Sequence, residues 1–356
     1  MEDELRSCLL ETVLFFEQIQ RKFHPLMMKP HGEKLCIRAT YLRNALDEAE
    51  EVHENSESFT AGILLKAAAL VLDAVSKFNA SDDIQEGIVN AMQAGRKICR
   101  MRELLFEIRN ELKDVDDFFR ETPMAPLHGK DERREGFVPG DQLVHMASGM
   151  DPYARGAPTF FMPWAPETKK LLPVVVALHG GFGHGRDFIW TWIREARSRA
   201  FFLLAPTSLG ITWSVEDPGI DLLPMTGLLE KLAGEYPLDL RKILLTGLSD
   251  GATFALRCAQ LPETPFKAFS PISGVLPPGD LTGARSRRIY WLHGAHDWMF
   301  PAARARSGRE ALQKAGADIT LKIIADLAHA YPSEENAGIL TWFDPAFFPG
   351  KSIRNG

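Results

Sequence analysis

The chain has 356 residues, 45% hydrophobic and 25% charged, an ordinary balance for a folded globular protein and long enough for about two domains. Its formal charge of −6 argues against nucleic acid as a partner, because phosphate binding needs a basic face. Cys8, Cys36, Cys99 and Cys258 form no C-x-x-C pair and no metal-ligand spacing, and read as reduced residues of a cytoplasmic protein.

The start, MEDELRSCLLETVLFF, is acidic and lacks the basic n-region and cleavage site of a secretory signal. Leu5, Leu9, Val13, Phe16, Ile19 and Phe23 recur three or four apart and predict a first helix. A second is expected over 33–54 and a third over 59–78. The most apolar stretch, Ala61 to Val75, holds Lys66 and Asp73 and is too short to cross a bilayer. It is expected as a buried helix, with no membrane span in the chain. Ser81-Asp82-Asp83 offers N-cap oxygens, with Gln85 and Glu86 placed to answer them. From there Ile84, Ile88, Ala91, Ile98, Leu105, Ile108, Leu112, Val115 and Phe119 extend one long apolar stripe that stops before Pro123. Short connections make residues 1–122 an antiparallel helical bundle, either a lid or a dimerisation element. We expect a homo-oligomer held partly by this half. Residues 123–136, rich in Pro, Gly and mixed charge, read as a linker.

From 137 to 356 the pattern changes. LVHMAS and PTFFMPW (158–164) suggest an antiparallel edge. Continuous apolar runs follow at 173–178, 201–206, 242–247, 267–273, 288–294 and 319–324. Helical candidates lie between them at about 186–199, 222–235, 251–261, 302–315 and 333–343. Such alternation predicts a mostly parallel sheet with helices on both faces, hence an α/β domain after an all-α one.

Ligands of such sheets sit beyond the carboxyl ends of the strands. There stands Gly247-Leu248-Ser249-Asp250-Gly251, a G-x-S-x-G pattern between a strand and a helix. A serine among glycines is often only a turn residue. After an apolar strand, however, the small flanks permit a sharp bend that presents the hydroxyl to a substrate. A serine needs a base, and the base an orienting acid, here in the chain order Ser, Asp, His. Asp297 follows one strand and His329 the next, and both are preferred over their competitors: Asp280, Asp318 and Asp326 for the acid, and His179, His184, His293 and His296 for the base. His179 and His293 read as structural, His184 as an exposed loop residue, and His296 precedes the acid. Donors for an oxyanion are the amide of Asp250 and, from LHGGFGHG (178–185), that of Gly181 ahead of Phe182. The Asp250 side chain is expected to meet solvent or a helix N-terminus. Tryptophans 164, 190, 192, 213 and 298 read first as core, but Trp213 and Trp298, in sheet-end loops, are also candidates with Phe182 to wall a substrate pocket. No metal cluster or dinucleotide fingerprint is present, so no cofactor is expected.

The stretches LHGG, GLSDG, HGAHDWMFP and LAHAYP make residues from about 137 onward resemble the α/β-hydrolase superfamily, and more narrowly the phospholipase/carboxylesterase and polyhydroxybutyrate-depolymerase-like esterases. The resemblance implies a serine esterase with Ser249 as nucleophile, His329 as base and Asp297 as its orienter. The expected activity is hydrolysis of a small ester, short-chain acyl or aryl, through an acyl-enzyme. A peptidase or thioesterase using the same triad is the alternative within enzymes, since a triad does not fix the leaving group. Outside enzymes the alternative is a helical interaction module on a hydrolase-like scaffold.

Overall fold

The structure, a computed structural model, describes residues 2–53, 58–121, 140–146, 151, 153–163 and 170–349. The expected linker at 123–136 and Trp164 lie outside the described residues. The chain divides into two compact units, Met1–Thr122 and Pro123–Gly356.

The first unit is helical: α1 (Glu2–Arg21), α2 (Met28–His53), α3 (Phe59–Phe78), α4 (Ile84–Glu107) and the short α5 (Lys113–Phe118). In α1 the predicted stripe Leu5, Leu9, Val13, Phe16 and Ile19 is buried. The second helix begins earlier than 33 because Pro30 falls in its first turn, where a missing amide leaves no bond unmade. Asp83 caps α4 by accepting the amides of Gln85 and Glu86, both at 2.9 Å. The single long stripe beyond residue 84 is corrected in two ways. The buried face of α4 runs through Gly87, Asn90, Ala94, Ile98, Met101 and Leu105, while Ile84 is exposed. The helix also stops at Glu107, and α5 restarts only after the chain has turned through 108–112. Helix α3 is likewise longer than its apolar centre. It has 20 residues and a mean hydropathy of 1.7 in its most apolar window, enough by length and composition to cross a bilayer. It buries ten side chains, from Ala61 to Phe78, and its Asp73 pairs with Lys97 of α4.

The second unit carries one eight-stranded sheet. Its elements are β1 (Gln142–His145), β2 (Thr159–Met162), β3 (Leu172–Leu178), α6 (Gly185–Phe188), α7 (Ile193–Arg199), β4 (Phe202–Ala205), α8 (Gly219–Glu235), β5 (Leu238–Leu248), α9 (Asp250–Gln260), β6 (Ala268–Ile272), β7 (Arg288–Gly294), α10 (Ala302–Lys314), β8 (Asp318–Ile324) and α11 (Asn336–Phe343). The strands lie in the order β1-β2-β4-β3-β5-β6-β7-β8. Strand β2 is antiparallel to β1 and β4, and every pairing from β4 through β8 is parallel. Central β3 is buried at all seven positions, as a strand covered on both faces must be. Its Val174, Val176 and Leu178 join Ile243 and Leu245 of β5 and Phe254 of α9 in the core. Each such side chain contributes about 1.5–3 kcal/mol by leaving water. The outer strand β8 alternates instead, exposing Asp318, Thr320 and Lys322, and Lys322 is held by both carboxylate oxygens of Glu335 at 2.7 Å.

The helix expected over 186–199 is split by a 3-10 turn at Ile189–Thr191, and the one over 333–343 opens as a 3-10 turn before α11. Helix α8 starts at Gly219, three residues before its apolar pattern, and accommodates Pro224 near its beginning.

Candidate active site

The sheet order brings the ends of β5, β7 and β8 to one edge. Ser249 stands between β5 and α9 with φ 55° and ψ −114°, a left-handed conformation that a serine adopts only when its surroundings force it. The flanking glycines show what forces it. A Cβ on Gly247 would lie 2.7 Å from the carbonyl carbon of Gly251 and 2.9 Å from Leu178. One on Gly251 would lie 2.5 Å from the carbonyl oxygens of both Leu178 and His179. The bend is then locked by the Ser249 amide donating to Ile272 and by the Thr253 amide donating to the Ser249 carbonyl, both at 2.9 Å.

His329 reaches Ser249 from the loop after β8. Its Nε2 is 3.0 Å from Ser249 Oγ, and its Nδ1 is 3.0 and 2.9 Å from Asp297 Oδ1 and Oδ2. A carboxylate only accepts, so Nδ1 carries the proton and Nε2 is left to accept from the serine hydroxyl. Asp297, in the loop after β7, is itself fixed. Its Oδ1 accepts the amides of Met299 at 3.0 Å and Phe300 at 2.7 Å. Burial pushes its pKa up, but the His329 hydrogen bond and charge and the Phe300 amide outweigh that and hold the carboxyl below the usual range. Behind it, buried His293 directs Nε2 at the Phe300 carbonyl, 2.7 Å away, and burial lowers its pKa, so it stays neutral. His296 is exposed to solvent.

Two backbone amides belong to the loops that meet at Ser249, for a Cβ on Gly180 would lie 3.5 Å from the Ser249 Cβ. Among the described residues, neither the Gly181 nor the Asp250 amide has a hydrogen-bond partner, whereas that of Phe182 donates to Ile211 at 3.1 Å. The loops meet closely, for a Cβ on Gly181 would lie 2.7 Å from Asp250 Oδ2. That oxygen accepts from Thr212 Oγ1 at 2.7 Å, so the Asp250 side chain meets a neighbouring loop rather than solvent or a helix end. The loop carrying Thr212 is pinned in turn by buried Asp221 of α8, which accepts the amides of Leu209 and Ser214, each at 2.8 Å. Thr212 and Asp221 were not foreseen, and no local pattern marks a pairing 38 residues apart.

The remaining histidines and aromatics separate cleanly. His179 is buried, which pushes its pKa down to about 3 despite the bond to Gly180; Nδ1 donates to that carbonyl at 2.7 Å and Nε2 accepts the Ser208 amide at 3.1 Å. His184 is buried rather than exposed, and its Nδ1 caps α6 by accepting the Arg186 amide. Trp213 does not wall a pocket. It is 3% exposed, donates Nε1–H to the His179 carbonyl at 2.8 Å and packs on Phe254. Trp298 is half-buried with its ring 6.1 Å from that of His329, and Phe182 is 65% exposed with φ 57°. No cluster of metal-ligating side chains occurs among the described residues.

This strand order, with a serine bend after β5 and an acid and histidine after β7 and β8, is the arrangement of the α/β-hydrolase fold. The profile of the Dienelactone hydrolase family matches residues 227–343, from α8 to the end of α11, and so spans Ser249, Asp297 and His329. No curated protein matches the chain. Among solved structures, a thermostable esterase aligns at 21% identity over 57% of this chain and 62% of its own, with a TM-score of 0.46. The Bacillus cereus carboxylesterase aligns at 20% identity over 54% and 94%, with a TM-score of 0.44. The Pyrococcus horikoshii acylaminoacyl peptidase aligns at 15% identity over 53% and 37%, with a TM-score of 0.42.

Proposed function

We propose that the protein is a serine carboxylesterase that needs no cofactor and acts through Ser249, His329 and Asp297. The observation that carries this reading is His329, hydrogen-bonded at one nitrogen to Ser249 Oγ and at the other to Asp297. His329 Nε2 takes the hydroxyl proton as Ser249 attacks the ester carbonyl, and Asp297 stabilises the imidazolium without taking its proton. The oxygen of the tetrahedral intermediate rests on the amides of Gly181 and Asp250, which are unengaged and flank the serine. The imidazolium then protonates the leaving alcohol, and water resolves the acyl-enzyme by the same steps in reverse. Half-buried Trp298, its ring 6.1 Å from that of His329, and exposed Phe182, next to Gly181 in the chain, support an acyl or aryl ester.

The test is a fluorophosphonate trap followed by mass spectrometry, together with a panel of p-nitrophenyl esters, acyl thioesters and aminoacyl anilides. The label is expected on the peptide containing Ser249, with esters turned over fastest. Ser249→Ala should lower kcat by about 10⁶. Unchanged turnover in that variant refutes the assignment, and a preference for anilides or thioesters moves it to another leaving group.

We further infer that α3 is the core helix of the first unit rather than a membrane span, supported by its buried side chains and its Asp73–Lys97 pair. In this reading the protein is cytoplasmic, and the helical unit joins copies of the chain. Exposed Leu26, Ile37, Tyr41 and Phe59 support the last point. Deleting residues 1–122 and measuring mass by light scattering tests it, and an unchanged oligomeric state refutes it.

A further inference from the structure

The two amides assigned to the oxyanion come from separate segments, Gly181 after β3 and Asp250 at the start of α9. Among the described residues no backbone hydrogen bond joins one to the other. A third segment, 209–214 between β4 and α8, bridges them. The Phe182 amide donates to the Ile211 carbonyl at 3.1 Å, which ties this segment to the Gly181 loop. At the next residue, Thr212 Oγ1 donates to Asp250 Oδ2 at 2.7 Å, which ties it to the nucleophile bend. Two adjacent residues thus grip the loops of both donors.

The bridging segment has fixed points of its own. Asp221 accepts its Leu209 and Ser214 amides, each at 2.8 Å, and Trp213 Nε1–H donates to the His179 carbonyl at 2.8 Å, two residues before Gly181. Against this brace the Asp250 carboxylate is wedged from two sides. Thr212 supplies its only hydrogen bond among the described residues, and a Cβ on Gly181 would lie 2.7 Å from its Oδ2 and 3.5 Å from its Cγ. A carboxylate free to swing here would oppose a negative oxygen forming next to Ser249. A charge-assisted hydrogen bond fixes where that charge stands.

We propose that Thr212 is a positioning residue for the oxyanion site and acts through the Asp250 side chain. Its hydroxyl holds the first turn of α9 against the Gly181 loop and so sets the spacing of the two amides. The inference rests on the serine-esterase reading above. A planar ester carbonyl gains little from the pair of amides, whereas the oxygen of the tetrahedral intermediate needs both at hydrogen-bond distance at once. Thr212 therefore bears on the transition state and hardly on substrate binding, which separates its role from that of a residue needed only for folding.

The experiment measures kcat and KM for a p-nitrophenyl ester, and Ki for a trifluoromethyl ketone, to which Ser249 adds so that the ketone oxygen occupies the oxyanion position. Thr212→Val keeps the shape of the side chain and removes the donor. It should lower kcat about tenfold, less than the roughly 10²–10³ that follows loss of a whole oxyanion donor, and leave KM within about twofold. The ketone Ki should rise by the factor by which kcat falls. Thr212→Ser restores the hydroxyl and should recover most of the loss. In an Asp250→Ala background, where the amide remains and the acceptor is gone, Thr212→Val should have no further effect. Thermal melts show that each variant is folded, and Thr212→Ala, equally without a donor, replaces the valine variant should that one not fold. An unchanged kcat in the folded donorless variant overturns the proposal, as does a change confined to KM, a loss that serine does not recover, or an undiminished loss in the Asp250→Ala background. A wild type that neither turns over esters nor forms the ketone adduct sinks the esterase reading instead, a separate outcome.

Discussion

Replacing Asp297 by asparagine keeps the shape of the side chain and should still abolish most activity. Three donors converge on this carboxylate: the amides of Met299 and Phe300 on Oδ1, and His329 Nδ1–H, which is 2.9 Å from Oδ2. An asparagine has one carbonyl oxygen, and the two buried amides claim it. Its NH₂ group must then occupy the Oδ2 position and point hydrogens at His329 Nδ1. That nitrogen can meet them only as an acceptor, which moves the imidazole proton to Nε2. The nitrogen 3.0 Å from Ser249 Oγ then becomes a donor and cannot take the serine proton. In serine proteases the corresponding tautomer error lowers kcat by roughly 10⁴, equivalent to about 5.5 kcal/mol of barrier. The assay is initial-rate hydrolysis of a p-nitrophenyl ester by wild type and Asp297→Asn, with thermal melts to show that both are folded. A folded variant within tenfold of wild-type kcat would refute the argument, because it would mean that His329 is not oriented by Asp297.

Gly251→Ala places a methyl 2.5 Å from two backbone oxygens, so we expect destabilisation of at least about 2 kcal/mol, read from urea unfolding; an alanine variant as stable as wild type would contradict the crowding. His179, buried and neutral with a pKa near 3, acquires a proton only on unfolding below its ordinary value of 6.5. Its contribution is therefore complete above that value and lost as pH falls, by about 2 kcal/mol at about pH 5. His179→Gln should show a flatter dependence of stability on pH, and an unchanged slope would exclude this group. Phe182→Gly relieves a left-handed backbone at φ 57° and should stabilise the fold by about 0.5–1 kcal/mol while raising KM for aryl esters. A stabilised variant with unaltered KM would remove Phe182 from the substrate wall.

The parallel strands were legible because a strand covered on both faces must be apolar without interruption, as Val174 to Leu178 show. The serine bend was legible because backbone crowding leaves only glycine at 247 and 251, which writes a sharp turn directly into the sequence. Helix starts were harder to read. Pro30 resembles a breaker, yet it sits in the first turn of α2, where no hydrogen bond is lost; Pro224, the sixth residue of α8, is carried inside its helix at the loss of one. Side-chain partners across loops were not legible at all. Whether Trp213 faces substrate or core, and whether Asp250 meets water or Thr212, depends on how the 206–218 loop folds back over the strand ends. Asp221 decides that through two backbone amides, and nothing local announces it.

The outer strand β8 has a consequence for how the molecule behaves in a crowded cell. A sheet that never closes on itself presents a row of unfilled backbone positions, and a foreign strand can complete them. Here the exposed face of that row bears Asp318, Thr320 and Lys322, the last tethered by Glu335, so an incoming chain would have to strip water and a partner from charge before gaining any ladder bond. Solubility thus rests in part on a lysine and a glutamate that take no part in the proposed chemistry, and apolar replacements there would favour aggregation even with every group around Ser249 intact.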